Sequence, residues 1–414
     1  MIDFTLSNRQ QQVKEAIHGL ATSVIRPECL KWDREHGIPH DFLRNLATLA
    51  GSMGSLAMMD RDGEKASAAK AESTTSEPKK KSSVNLTSIV AAEEMAWGDA
   101  GLLLCLPGPG LGGPPVRGSG TPEQKERFMG VFKDMTTGGE LRWGAYALTE
   151  PGAGSDVAGI RTSCRKDGKH WVLNGRKCFI TNGARASWNC VFATIDPTLG
   201  RAGHRAFVVE KGTPGFSVGR IEDKMGLRAS ETAELVFEEC RVPEENLLGG
   251  EERYVTKEGF MTAMKTFDNT RPLVASMAIG IGRAAYEYAR DFVKSNYVLS
   301  RHTPRYSAIA ERLARVGRML DAARMVTWRA GWMADEEIPN AKEASTSKAL
   351  AGQAAIRACI ESIEICGAEG TIARDHQLLE KWFRDIKVYD IFEGTGQIQR
   401  VVISKRLFAD LKSF

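Results

Sequence analysis

The stretch YDIFEGTGQIQR places one carboxylate, Glu393, directly before the flexible triplet 394–396 and after the apolar residues Val388, Ile391 and Phe392. A carboxylate in apolar surroundings has a raised pKa and becomes a stronger base once water is excluded. Glu393 is therefore a candidate for removing a proton from carbon. The alternative interpretation is an exposed acid at a helix end, with Gly394 as the C-cap.

The glycine-rich stretch YALTEPGAGSD, residues 146–156, is a candidate ligand loop. Gly152, Gly154 and Ser155 allow a tight turn whose backbone N–H groups can face an anion or a ring acceptor. No Gly-Lys-Ser/Thr sequence follows, so this is not the phosphate-binding loop of a nucleoside triphosphatase. A purely structural turn is the alternative.

The stretch KCFITNG, residues 177–183, offers a flat apolar ring in Phe179 and a hydroxyl group in Thr181. Two such side chains can line a ligand site. The same residues are also compatible with a plain strand that ends in a turn.

The stretch FDNTRPLVASMAIG, residues 267–280, contains Asp268 and Arg271 three positions apart. This spacing places both side chains on one face of a helix. They could contact a polar, phosphate-bearing ligand, or they could form a solvated ion pair.

The composition excludes several other classes of function. The 414 residues are 42% hydrophobic and 26% charged, which is typical of a globular protein, and the net charge of +4 is too small to indicate a nucleic-acid binder. Neither the seven histidines nor the eight cysteines show the spacing of metal ligands, and no C-x-x-C pair occurs. The absence of a G-x-S-x-G pattern argues against a serine hydrolase.

The beginning of the chain, MIDFTLSNRQ, lacks the basic and apolar regions of a signal peptide. The longest uncharged run, residues 100–116, contains four prolines and is not expected to span a membrane. We therefore expect a cytoplasmic protein with free thiols.

The elements that must position these motifs follow from the patterns along the chain. The first 140 or so residues are predicted to be helical, with capping boxes at Ser7–Gln10 and Thr121–Gln124. Residues 60–83 contain no large apolar side chain and are predicted to form a mobile surface loop.

Short strand-like runs between Trp143 and Val242 predict a small β-barrel or sandwich. Asn174-Gly175, in HWVLNGRKCFIT, is typical of a tight hairpin turn and predicts a hairpin there. From Thr256 onwards the pattern is helical again. A stripe of apolar residues from Ile309 to Leu320 favours long helices packed into a bundle.

Taken together, in this order and spacing, the four motifs resemble those of the acyl-CoA dehydrogenase family, its medium- and short-chain members especially. The resemblance runs from the N-terminal helices to near the C-terminus. It is most specific at YALTEPGAGSDVAGIRT, VLNGRKCFITNG, FDNTRPLVA and IFEGTGQIQR. It implies an α+β, mostly α, fold with an N-terminal helical domain (1–142), a middle β-barrel domain (143–255) and a C-terminal four-helix bundle (256–414). It also implies a homotetramer, or a dimer.

The resemblance assigns roles to individual residues. Glu393 matches the catalytic base, and no metal is implied. The residues that match contacts to the cofactor FAD are Tyr146, Leu148, Thr149, Gly154, Ser155, Phe179, Ile180, Thr181, Thr395 and Gln397. The residues that match contacts to the acyl-CoA substrate are Ser155, Asp268, Arg271 and Gly394.

The implied reaction is the FAD-dependent α,β-dehydrogenation of an acyl-CoA thioester to the trans-2-enoyl-CoA. Glu393 would remove the α-proton, and the flavin N5 would accept the β-hydride. In the family, the thioester carbonyl accepts hydrogen bonds from the backbone N–H of this glutamate and from a ribityl hydroxyl of FAD as negative charge develops. The electrons would pass to an electron-transfer flavoprotein.

Two alternatives stay open. One is other flavin chemistry on the same fold, namely an acyl-CoA oxidase or a desulfinase. The other is a non-catalytic binding subunit that retains FAD poorly. The acyl length, branching and functional group of the substrate are not specified.

This sequence departs from the family pattern at the distal half of the cofactor. Asn296 and Ser307 stand where the family has an Arg and a Gln that reach a neighbouring subunit's FAD, and Glu364 and Ala368 replace a Gln and a Gly. Losing an Arg and gaining a Glu near a pyrophosphate is expected to weaken its binding. The polar stretch after Asp60 replaces a family segment that helps to shape the acyl pocket.

Overall fold

The computed structural model of the chain describes residues 5–37, 39–52, 83–133, 135, 139–255, 258–297 and 304–408. The stretch predicted to be a mobile loop, residues 60–83, lies outside the described residues except for Ser83.

The N-terminal region is helical, as predicted. Its helices are α1 (Asn8–Leu20), α2 (Arg26–Glu35), α3 (His40–Ser52), α4 (Val84–Leu104), α5 (Gly113–Ser119) and α6 (Pro122–Gly130). Both predicted capping boxes are confirmed: the Ser7 and Thr121 hydroxyls accept from the backbone N–H of Gln10 and Gln124, and each glutamine side chain accepts from the cap's own N–H. These bonds satisfy N–H groups that a helix start would leave unpaired.

The middle of the chain forms one curled seven-stranded sheet. Its strands are β1 (Gly144–Ala147), β2 (Ser163–Asp167), β3 (His170–Thr181), β4 (Trp188–Thr194), β5 (His204–Glu210), β6 (Phe216–Ile221) and β7 (Thr232–Pro243). The neighbouring strands follow the order β1-β4-β2-β3-β7-β6, and β5 pairs with β4. No βαβ unit interrupts this sequence of strands, which agrees with the predicted middle β domain.

The predicted hairpin at Asn174-Gly175 is wrong. β3 runs straight through both residues, and the hairpin turn lies between β2 and β3, where Gly168 has a φ of 60°. Gly175, with a φ of 149°, instead marks a shift in the pairing of β3 with β7. A Cβ at this position would lie 2.6 Å from the Thr162 hydroxyl, so the glycine is required for the close approach of the two chains.

The C-terminal region is helical. Its helices are α7 (Glu252–Val255), α8 (Glu258–Asn296), α9 (Pro304–Asp335), α10 (Ala341–Cys366), α11 (Gln377–Ile386) and α12 (Gly396–Leu407). The predicted apolar stripe of α9 is confirmed, since Val316 and Leu320 are each only 2% exposed. α8 and α10 pack closely: a Cβ on Gly282 would come within 2.9 Å of Ala355. Helices, a sheet and helices give the predicted α+β, mostly α, fold, whereas the exact domain boundaries stay a prediction.

A buried charged cluster joins the three regions beside the site. The Lys381 ammonium on α11 lies 2.5 Å from a carboxylate oxygen of Asp99 on α4 and 2.5 Å from one of Asp385. Asp385 also accepts the backbone N–H of Leu227, at 2.6 Å, from the loop before β7. Because removing one member would leave a buried charge unpaired, this cluster fixes the loop and the helices relative to one another.

All eight cysteines are buried and free. Among the described residues, no helix combines the length and the apolar character that a membrane span requires.

Candidate functional site

The four motifs converge on one large cavity of about 2600 Å³ between the sheet and the C-terminal helices. The predicted site residues that line it are Tyr146, Leu148, Thr149, Gly154, Ser155, Phe179, Ile180, Thr181, Arg271, Glu393, Gly394 and Thr395. Pockets for a single drug-sized ligand measure about 300–1,000 Å³, so this cavity can hold more than one ligand group.

Glu393 lies in a tight turn that directly precedes α12. Its φ is 53° and that of Gly394 is 94°, so two consecutive residues adopt the left-handed region. This conformation is unfavourable for a residue with a Cβ and persists only where its surroundings hold it in place. Thr395 then starts α12 as its N-cap, with its hydroxyl accepting the Ile398 N–H at 3.2 Å.

The Glu393 carboxyl group faces the cavity rather than bulk solvent. The side chain as a whole is half-buried, but its Oε2 atom is shielded from solvent and accepts no hydrogen bond from the described residues. Burial raises the pKa of this carboxyl, while a hydrogen bond from Thr270 and the charges of Lys348 and Arg271 oppose the rise. A carboxylate in this state is a reactive base, because few protein groups stabilise its charge.

The glycine-rich loop is held against the sheet by a buried ion pair. The Lys177 ammonium on β3 lies 2.7 Å from Glu150 Oε1 and donates to the Leu148 carbonyl at 3.0 Å. Glu150 also accepts the N–H groups of Thr162, at 2.9 Å, and Arg161, at 2.6 Å. These bonds fix the start of the loop, which then passes along the cavity through Gly154 and Ser155.

The end of β3 presents an aromatic ring to the cavity. Phe179 has a φ of 57° and is 64% exposed, and it lies where the pairing of β3 with β7 shifts. Ile180 beside it is 2% exposed and belongs to the sheet core, and Thr181 is half-buried. A bulge of this kind turns a side chain out of the regular alternation, here onto the cavity wall.

One of the predicted site residues is not brought to the cavity wall. Gln397 is exposed in the first turn of α12 and does not line the cavity. The side chain of Asp268 lies outside the described residues, although its position on α8 is one helical turn before Arg271. The expected roles of both residues stay predictions.

Two residues at the site were not predicted from the sequence: one lies behind the Glu393 turn, and one lines the cavity. Lys348 on α10 is 1% exposed and donates to the Gly394 carbonyl at 2.7 Å. Asn182, with a φ of 61°, donates to the Leu104 carbonyl at 3.1 Å, and its Oδ1 has no partner among the described residues. A lone lysine in an Ala-rich helix and an asparagine in a turn carry no motif. The small residues around Lys348, in STSKALAG, were the one available signal of close packing.

Three of the departures from the family pattern, Asn296, Glu364 and Ala368, are exposed. Asn296 is exposed and donates to the Phe292 carbonyl of its own helix at 3.0 Å, and the side chain of Ser307 lies outside the described residues. Glu364 forms an ion pair with Arg312. The additional negative charge of Glu364 is therefore partly neutralised within the chain.

The residues of the cavity wall fit a flavin. An exposed aromatic ring at Phe179, a hydroxyl at Thr181 and the unsatisfied buried acceptor Asn182 Oδ1 suit a planar ligand with polar edges. In the glycine-rich loop, Gly154 lines the cavity, and a Cβ added there would meet nothing within 4 Å. The loop backbone is therefore open to a ligand.

Comparison with known proteins supports the resemblance to the acyl-CoA dehydrogenase family. Residues 145–240 match the family model of the acyl-CoA dehydrogenase middle domain, and residues 257–408 match that of the acyl-CoA dehydrogenase C-terminal domain. The chain is 33% identical over 413 residues to the mitochondrial short-chain specific acyl-CoA dehydrogenase of Rattus norvegicus, covering 99% of this chain and 92% of that protein.

A bacterial relative and a solved structure lead to the same family. The chain is 31% identical over 409 residues to the short-chain specific acyl-CoA dehydrogenase of Clostridium acetobutylicum, covering 98% of this chain and all of that protein. Butyryl-CoA dehydrogenase from Megasphaera elsdenii superposes with a TM-score of 0.83 at 32% identity, covering 98% of this chain and 100% of that one.

Proposed function

This chain belongs to the acyl-CoA dehydrogenase family, and from that premise we propose that it oxidises a short-chain acyl-CoA thioester to the trans-2-enoyl-CoA. Glu393 removes the α-proton, and FAD is the cofactor. The short acyl chain is suggested by the names of the relatives, which are short-chain and butyryl-CoA dehydrogenases.

The single observation that carries the proposal is the state of Glu393. Its Oε2 is shielded from solvent and free of protein hydrogen bonds in the described part of the chain, on a cavity whose wall also holds Phe179 and Thr181. An ordinary surface acid has a hydrated carboxylate, and a structural one has its oxygens satisfied by donors. Thr270 donates to the Glu393 carboxyl, but Oε2 is neither exposed nor bonded to a described donor, which is the condition expected of a base that meets its proton donor only when substrate binds.

The reaction sets physical demands that these residues can meet. The α C–H of a thioester is a weak acid, so the carbonyl oxygen must accept hydrogen bonds as charge develops on it, and water must be excluded from the base. The backbone N–H of Glu393 is the donor within this chain that the family resemblance assigns. When bound, FAD supplies the acceptor for the β-hydride.

Separate groups of residues would bind the two ligands. Those proposed to hold FAD are Tyr146, Leu148, Thr149, Gly154, Ser155, Phe179, Ile180, Thr181, Thr395 and Gln397. Those proposed to contact the acyl-CoA are Ser155, Asp268, Arg271 and Gly394. Arg271 lines the cavity and lies close enough to Glu393 to lower its pKa, so it can serve both the substrate and the base.

The proposal also covers the electron acceptor, the oligomeric state and the location of the enzyme. The electrons leave through an electron-transfer flavoprotein, and the chain assembles as a homotetramer, or a dimer, in the cytoplasm. These statements rest on the family resemblance.

The test is anaerobic mixing of the purified holoprotein with a panel of acyl-CoA thioesters of two to sixteen carbons, followed by flavin absorbance. We expect bleaching that is fastest with short chains such as butyryl-CoA. Rapid return of the flavin absorbance when oxygen is then admitted, without an acceptor protein, would favour an oxidase. A protein that stays colourless after FAD is added would contradict the proposal and favour a non-catalytic subunit.

A further inference from the structure

The turn that carries Glu393 is held by two side chains that act on one carbonyl. The Gly394 carbonyl accepts from Lys348 Nζ at 2.7 Å and from Gln399 Nε2 at 3.0 Å, and Gln399 also reaches the Glu393 carbonyl at 3.3 Å. Lys348 and Gln399 are each almost completely buried. Since the turn contains two successive left-handed residues, these donors stabilise a conformation that the backbone alone disfavours.

Lys348 is an unusual choice for a carbonyl donor. In the described part of the chain its ammonium has no carboxylate within ion-pair distance, and the neutral carbonyl of Gly394 is its hydrogen-bond acceptor. A buried ammonium is costly unless it is paired, and a neutral side chain such as Gln399 already makes the same kind of bond. The retained charge therefore suggests a role that a neutral donor does not provide.

The charges around Glu393 indicate what that role is. Two cations act on the Glu393 carboxyl: Lys348 from α10 and Arg271 from α8. Tyr146 from β1 and Tyr389 also interact with Glu393. Asp390 interacts with Lys348. Burial lowers the pKa of Lys348 to about 8, and the negative charges of Glu393 and Asp390 oppose this change. The lysine is thus charged at neutral pH, when the base must be ionised.

We propose that Lys348 is a positioning residue for Glu393, which holds the left-handed turn through the Gly394 carbonyl and provides a buried positive charge that keeps the base ionised beside the substrate. The inference rests on the proposed function. It adds a residue from a helix that carries none of the recognised motifs. Lys348 acts through the turn and through its charge, and it need not contact the reacting carbons.

The test separates the charge of Lys348 from its hydrogen bond. Lys348→Met removes both, whereas Gln399→Leu removes a hydrogen bond to the same carbonyl and leaves every charge in place. The rate of flavin bleaching by butyryl-CoA is measured for parent and variants between pH 5 and 9. We expect Lys348→Met to shift the acidic limb of the profile upwards by about one pH unit, because an opposite charge nearby shifts a carboxyl pKa by about 1–3 units. Gln399→Leu should slow bleaching but leave the acidic limb of the pH profile at the same pH as in the parent.

A second readout does not depend on turnover. The carboxyl C=O stretch of Glu393 is isolated by subtracting the infrared spectrum of Glu393→Gln and is titrated in the Lys348 background and in Lys348→Met. If the methionine variant does not fold, Lys348→Gln takes its place. A midpoint for Glu393 that rises when the lysine is removed supports the proposal.

The outcomes distinguish a failure of the role proposed for Lys348 from a failure of the proposed function. If the parent bleaches and both Lys348→Met readouts match the parent, the role of Lys348 is overturned while the proposed function stands. If no thioester bleaches the parent, the proposed function fails, and the infrared titration still decides whether Lys348 controls the ionisation of Glu393.

Discussion

Two lysines next to the cavity, Lys177 in the sheet and Lys348 in the helical bundle, are built into opposite arrangements. Both are almost completely buried, at 0% and 1% exposure, and burial lowers the pKa of each to about 8. Lys177 lies 2.7 Å from the carboxylate of Glu150. Lys348 instead bonds to the Gly394 backbone carbonyl, and its charge acts on the Glu393 carboxyl without direct contact.

The two glutamates differ accordingly. Burial opposes the ionisation of Glu150, but the charge of Lys177 and hydrogen bonds from Lys177, Thr162 and Arg161 outweigh it and lower the pKa. Burial dominates at Glu393 and raises the pKa. The same two residue types therefore give two different results. Lys177 and Glu150 form a closed pair, in direct contact, that fixes a loop, whereas Glu393 near Lys348 is an open carboxylate, without such contact, that can react. What distinguishes them is the number of donors on the carboxylate.

The largest expected effect tests the open carboxylate. Glu393→Gln keeps the shape of the side chain and removes the base, so we expect flavin bleaching by butyryl-CoA to slow by about 10⁴-fold while FAD is retained. Rapid mixing under anaerobic conditions measures the rate, and the flavin spectrum measures occupancy. Bleaching near the parent rate would show that Glu393 is not the base.

The next effect tests the closed pair. Lys177→Met leaves Glu150 buried without its counter-charge, which is expected to lower the free energy of unfolding by about 3–5 kcal/mol. Lys348→Met is the matched control, since it removes no ion pair. It loses one hydrogen bond, which is worth about 1 kcal/mol, but it also removes a buried charge that is costly at pH 7, so its loss of stability should stay below about 1 kcal/mol. Urea denaturation at pH 7 measures both, and equal losses would remove the proposed distinction.

A smaller effect appears in alkaline solution. The pKa of Lys348 is about 8 in the folded protein, against an ordinary value of 10.5. Between these values the unfolded chain binds more protons, so this lysine makes the folded state more stable as the pH rises. The stability of the parent relative to Lys348→Met should increase over that range and be constant on either side of it. A difference that does not vary with pH would contradict the lowered pKa.

The smallest effect concerns the raised pKa of Glu393. Its ordinary value is 4.5, and ionisation is less favourable in the folded protein than in the unfolded chain. The parent should therefore lose some stability as the pH rises from 4.5 through the folded pKa, whereas Glu393→Gln should not. We expect the glutamine variant to be slightly more stable in urea at pH 7, with the difference absent at pH 4. A variant that is less stable at pH 7 would indicate that the carboxylate is stabilised by the fold.

Features set by neighbours along the chain were predicted from the sequence. The capping boxes at Ser7 and Thr121 involve residues three positions apart, and the apolar stripe of α9 follows one helix face, so neither depends on the rest of the fold. The order of helices, strands and helices has the same origin. The motif residues that line the cavity came from the family resemblance, whereas the structure adds how Glu150 and Lys177 hold one of those motifs in place.

Features that depend on distant partners were not predicted. Asn174-Gly175 has the composition of a hairpin turn, but pairing with β7 over both sides of that dipeptide keeps β3 continuous. The burial of Lys348 arises because α10 lies behind the Glu393 turn, 46 positions away along the chain. Glu364 was expected to weaken the binding of a pyrophosphate. Its ion-pair partner Arg312, 52 positions away along the chain, was not foreseen.

The central claim, that Glu393 removes a proton from the α-carbon of a bound thioester, is tested most directly by hydrogen exchange. The parent holoprotein and Glu393→Gln are incubated in D₂O with 3,3-dimethylbutyryl-CoA, which has α-hydrogens but no β-hydrogen to lose, and the thioester is analysed by mass spectrometry. We predict deuterium at the α-carbon with the parent and none above the solvent rate with the variant. Equal exchange by both proteins would contradict the assignment of Glu393 as the base.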